Sequence, residues 1–214
     1  MADTDLEDNA GPRERQRRET RTSILQAALE LFAERGFEGA SIRDIAARAG
    51  VIHGLIKYHF NNKDELWKAA VDFLFERAHL EMQPPPGFDQ LDLTEQAKVS
   101  LRQYVHYCAR RPEHARIMVQ ESIRDSDRLR WAVERHVSPV HKSIRRIGEK
   151  RVEKGVYPNI PQHAIMYIIA GAAQFPFMLS AEARIAEGVD FSDIVEIDAY
   201  ADALIAFLFD NRVN

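Results

Sequence analysis

Apolar residues along this chain recur at three- and four-residue spacings, and no alternating stretch of useful length interrupts them. That period belongs to helices buried on one face, not to strands. From about Arg15 to Arg35, Ile24, Leu25, Ala28, Leu31 and Phe32 share one face, and Gly36 supplies the helix stop. A short pattern follows in which Ile42, Ile45, Ala46 and Ala49 form a stripe. Ser41 stands at its N-cap position, and Asp44 resembles the acidic half of a capping box. Gly50 ends it, and a second short pattern turns Val51, Leu55 and Ile56 inward while Ile52, His53, Lys57 and Tyr58 face outward. Two short helices hinged on a glycine form a helix-turn-helix, whose second helix is shaped for a major groove.

After Phe60, the Asn61-Asn62 turn leads into a helix from about Lys63 to Met82, striped by Leu66, Ala70, Phe73 and Leu74. Pro84-Pro85-Pro86-Gly87 then breaks the chain. Further helices are expected at about 93 to 110, 113 to 122, 126 to 155 with a disturbance at Pro139, 162 to 186 with a kink at Pro176, and 192 to 210. The fold predicted is all-α. Its organisation is a disordered tail over 1–12, a three-helix DNA-binding domain over 13–62, and a second helical domain over 63–214.

Charge changes this picture only when it is read by segment. The net charge of −4 is unpromising for a nucleic-acid partner. Between Pro12 and Lys63, however, ten basic residues oppose six acidic ones, which puts +4 on that segment and −8 on the remainder. Such asymmetry is the electrostatic footprint of binding at one end. The run from Arg13 to Arg21 is either a solvated charge run or an arm contacting phosphate or the minor groove. The single Cys108 excludes an intrachain disulfide, and no apolar run is long enough to predict a membrane span or a signal peptide. A cytoplasmic protein without membrane contact is expected.

The segment from Ile24 to Trp67 resembles the DNA-binding domain of TetR-family transcriptional regulators. The markers are Leu31, Phe32, Gly36 and Phe37; Ile42, Ile45, Ala46, Ala49, Gly50 and Val51; Tyr58-His59-Phe60; and Lys63 with Glu65-Leu66. The resemblance implies a regulator, as a repressor, that binds a near-palindromic double-stranded operator as a homodimer and is released by a small molecule. By position it places Ser41 and Arg43 at phosphates or the groove edge, and His53, Lys57 and Tyr58 on the recognition helix. Lys63 would meet phosphate at the next helix start, and His59 would be structural or phosphate-facing. Tyr58 either packs within the domain or touches phosphate. Many members carry a small hydroxyl residue where Ile52 stands and a tyrosine where Lys57 stands. Ile52 either meets a thymine methyl or packs beneath the helix, and Lys57 puts a full charge in place of a phenol.

Toward the C-terminus, Ala164 to Leu179 is apolar nearly all round and contains Gly171 among alanines. A helix of that kind is buried on all faces. Together with the last helix it predicts a four-helix dimer interface carrying Ile168, Gly171, Ala172, Tyr200, Leu204 and Leu208. An effector pocket is expected from Phe73, Tyr104, Tyr107, Met118 and Glu121, together with Trp131, Tyr167, Gln174, Phe175 and Met178. Aromatic residues and methionines at helical spacing are equally the material of a plain core. Glu121 is either a polar anchor for an aromatic or lipophilic effector or a partner of Arg124. No nucleotide-binding, metal-protease or nucleophile-elbow motif is present, and His136 and His141, five apart, do not share a helix face. The sequence predicts no cofactor, no metal and no enzyme activity. A helical interaction module with a basic end is the remaining alternative.

Overall fold

The computed structural model describes residues 11–210, which fold as α-helices with no strand among the described residues. The residues read as a tail fall largely outside that range, and Gly11 and Pro12 already open the first helix. The elements are α1 (Pro12–Gly39), α2 (Ile42–Arg48), α3 (His53–His59), α4 (Lys63–Glu81), α5 (Leu93–Arg110), α6 (Pro112–Arg124), α7 (Asp127–Ala132), α8 (Ser138–Glu153), α9 (Gln162–Met178), α10 (Ser180–Glu187) and α11 (Ile194–Ile205). Two compact units divide the chain between Leu74 and Phe75, inside α4.

In the first unit, the stripe of α1 is buried as its spacing requires. Ile24, Leu25, Ala28, Leu31 and Phe32 join Ile45, Ala46, Ile56, Phe60, Leu66 and Trp67 in one core. Regular helix stops at Gly36, whose φ of 71° and ψ of 173° lie in a region essentially reserved for glycine. Asn62 caps α4, its Oδ1 accepting from Glu65 N at 2.8 Å.

The second unit packs α5 against α9 and α11 around Leu101, Val105, Ala173, Phe177, Ala201 and Leu204. Along α5, Lys98, Arg102 and His106 stand four residues apart and pair with Asp210, Asp202 and Asp198. That ladder fixes the antiparallel register of α5 and α11 and was not read from the sequence. The disturbance predicted at Pro139 lies just before it, as a π-helical segment at Val133–Val137. The expected kink of the 162–186 helix falls at Leu179, where α9 and α10 bend by 71°. Pro176 sits inside α9 and has no N–H to give the carbonyl of Ala172, four residues back. That carbonyl instead accepts the Tyr200 hydroxyl at 2.7 Å.

The residues expected at the dimer face are differently placed within one chain. Tyr200 and Ala172 engage each other within the chain, and Leu204 is 8% exposed in the core. Ile168 and Gly171, also expected there, are exposed on the outer face of α9 with Tyr167 and Phe175, and Phe207 is exposed beyond α11. The prediction that α9 is buried on all sides is therefore not met within one chain. Among the described residues no single helix is long and apolar enough to cross a membrane.

Candidate nucleic-acid interface

The hinge is built from short local bonds. Ser41 accepts from Asp44 N at 3.0 Å to cap α2. Gly50, at φ 68°, closes it, and Val51 N donates to Ala46 O at 3.0 Å. The Asp44 carboxylate is held by Arg35 at 2.9 Å. Arg48 grips Glu34 through both terminal nitrogens and reaches Glu30 at 3.2 Å, ties that raise its pKa and clamp α2 to α1. Ser23 Oγ donates to Ala49 O at 3.1 Å, which fixes the turn to the same helix. Arg35 and Arg48 are thereby committed to the scaffold.

On α3, Ile56 and the following Phe60 are buried, whereas Val51 and Leu55 are only half-buried. This anchoring turns the opposite side of the helix outward, and His53 and Lys57 stand exposed. Ile52 is 73% exposed and Tyr58 70% exposed, so neither packs beneath the helix. Arg43 is exposed on α2. His59 is half-buried, and burial followed by the charges of Arg17 and Arg21 lowers its pKa, which leaves the ring neutral at pH 7. Lys63 does not project freely. Its ammonium lies 4.5 Å from the centre of the Phe37 ring and 3.4 Å from the carbonyl of Glu38, on the scaffold side of the site. The structure thus leaves Arg43, Ile52, His53, Lys57 and Tyr58 exposed, keeps Ser41 as a cap and turns Lys63 back. Surface of this kind offers charge to phosphates, polar groups to base edges and one apolar contact.

Residues 24–70 match the family of bacterial regulatory proteins, tetR family. This N-terminal domain belongs to the TetR family. Over 58 residues the chain is 57% identical to the HTH-type transcriptional repressor Rv3405c of Mycobacterium tuberculosis, a match covering 27% of this chain and 31% of that protein. The chain therefore spans about a third of the length of the curated relative it matches. Similarity of fold reaches much further than similarity of sequence. The hemolysin II transcriptional regulator HlyIIR superposes with a TM-score of 0.62 at 23% identity, covering 91% of this chain and 99% of that one. AibR, solved in complex with isovaleryl coenzyme A and operator DNA, superposes with a TM-score of 0.68 at 16% identity over 89% and 98%. The helices that follow the TetR-family domain thus share the fold of those regulators.

The residues expected to form an effector pocket are dispersed. Glu121 is buried, but it takes the Ser126 hydroxyl and Arg128 Nε, the latter at 3.3 Å, and so ties α6 to α7. Its partner is Arg128, not Arg124. Tyr104 hydrogen-bonds Gln174, and Tyr107 shares a 2.7 Å hydrogen bond with His114 Nδ1. Tyr167 and Phe175 point outward, 69% and 59% exposed. Phe73 belongs to the other unit, while Met118, Trp131 and Met178 are half-buried. A cleft of about 270 Å³ between α6, α9 and α10 is lined by Arg116, Phe177, Arg184 and Phe191, and by none of the ten. Aromatic residues at helical spacing thus stand in the core and on the outer surface alike.

Proposed function

We propose that the chain is a transcriptional regulator, acting as a repressor, that binds a near-palindromic operator as a homodimer through α3 and is released by a small molecule bound in its C-terminal domain. The observation that carries this reading is the surface of α3: the buried Ile56 anchors the helix while Ile52, His53, Lys57 and Tyr58 stand free of the core. Lys57 on α3 and Arg43 on α2 neutralise phosphate, and His53 and Tyr58 reach toward groove edges. A repressor bearing a 57% identical segment, and a structural relative solved with operator DNA and an acyl coenzyme A, support the same reading. Homodimerisation is supported by the exposed apolar side of α9, where Tyr167, Ile168 and Phe175 await a cover. Two-fold symmetry would then set two recognition helices about 34 Å apart, one helical turn of DNA. The effector is aromatic or lipophilic.

Selection of duplexes from a random pool by the full chain tests this directly. The expected product is one enriched sequence with two related half-sites about one turn apart. Recovery of unrelated sequences, with no half-site shared among them, contradicts the reading.

A further inference from the structure

The first three turns of α1 lie outside the core of the TetR-family domain. From Gly11 to Thr22 every residue is exposed except Thr20, which is half-buried, and burial begins at Ile24. A stretch that buries so little is helical because Pro12 opens it with a preset φ, Glu14 complements the helix N-terminus, and Gly11 O accepts from Glu14 N and Arg15 N at 2.9 and 3.1 Å. Five arginines and two glutamates occupy it. Arg13, Arg17 and Arg21 follow one another at four-residue steps, each turned by about 40° from the last, so they form one stripe about 12 Å long. Glu14 reaches Arg17 only at 3.8 Å, and no acidic partner among the described residues pairs with Arg13, Arg15 or Arg18.

The stripe has a definite direction. The Arg21 guanidinium lies 5.5 Å from the centre of the Phe60 ring, immediately after α3. Arg17 and Arg21 are both close enough to His59, the last residue of α3, for their charge to depress its pKa. The stripe therefore continues from the C-terminal end of the proposed recognition helix. We propose that Arg13, Arg17 and Arg21 form a second DNA-contacting surface that lies along the phosphate backbone as a helix, flanking the groove that α3 reads. A helix with its side chains is about 10–12 Å across, whereas the minor groove of B-DNA is about 6 Å wide. An arm inserted into that groove would have to unfold these turns, so contact along the backbone is the mode that keeps them. Contacts of this kind add affinity and salt dependence without adding sequence preference.

The proposal rests on α3 as the recognition helix, and the test separates the two. Binding of the full chain to the duplex it enriches from a random pool, and to a scrambled duplex, is measured by fluorescence anisotropy across salt concentrations. In Arg13→Gln/Arg17→Gln the slope of log affinity against log salt is expected to shrink by about 3.6 for the homodimer, at about 0.9 per phosphate and two arginines in each copy, with the preference for the enriched over the scrambled duplex unchanged. Both side chains are exposed, so thermal unfolding should match the unsubstituted chain. Arg18→Pro breaks the helix while keeping the stripe arginines and is compared with Arg18→Gln; the proline variant is expected to show the smaller slope. An unchanged slope in the double variant overturns the proposal, and equal slopes for the two Arg18 variants overturn its helical form. Failure of the unsubstituted chain to prefer its enriched duplex instead overturns the reading of α3.

Discussion

Lys57 is an exposed cation on α3, and in the proposed reading it meets a phosphate. A full charge exchanges condensed counterions for itself, so Lys57→Ala should flatten the salt dependence of the homodimer by about two phosphates' worth, one for each copy, whereas Lys57→Tyr should flatten it equally and retain more affinity at high salt. Mobility shifts over a salt series distinguish the two. A second residue-scale prediction concerns the second unit. His114 has Phe75 edge-on at 4.7 Å and bonds Tyr107, and burial followed by the charges of Arg77 and His136 pushes its pKa down to about 4. The unfolded chain protonates this imidazole near 6.5, so its neutral form costs nothing at pH 7 and the folded state loses stability as pH falls from about 6.5 toward 4. Between pH 7 and 5 the loss is about 2 kcal/mol, and denaturant unfolding of His114→Gln should lack that part of the pH dependence. The outward residues of α3 were legible because helical spacing dictates them once Ile56 is buried. Lys63 and Glu121 were not, since a charge in sequence shows neither the Phe37 ring nor the Arg128 that takes it.

At the scale of elements, the turn between α2 and α3 depends on one backbone conformation. Gly50 has a φ of 68°, and a Cβ built there would meet nothing within 4 Å. Gly50→Ala should therefore cost only the left-handed penalty, about 1–2 kcal/mol, measured as a shift of the unfolding midpoint without repacking of the core. A loss of 4 kcal/mol or more would show that the space is not open. Element positions were largely legible, because periodicity, caps and prolines act locally. What local signals could not give is the outcome of competition between elements. Pro176 was read as a kink, yet the Ala172 carbonyl it frees is satisfied by Tyr200 from α11, and the chain bends at Leu179 instead.

Across the whole molecule, charge is unevenly distributed along the chain. The basic excess lies between Pro12 and Lys63, and Tyr167, Ile168, Phe175 and Phe207 stand exposed in the second unit. A second copy is the cover proposed for that apolar surface. Phe175→Arg should shift the full chain toward monomer in sedimentation experiments while leaving its helical signal intact, and a dimer unaffected by that charge would place the interface elsewhere. The central claim is that α3 reads a DNA sequence, and it is tested most directly by titrating one enriched duplex and its scrambled counterpart with the full chain at about 0.15 M salt. The account predicts that the chain prefers the enriched duplex by about a thousandfold or more, and that His53→Ala with Tyr58→Ala erodes this preference. Equal affinity for the two duplexes would contradict it.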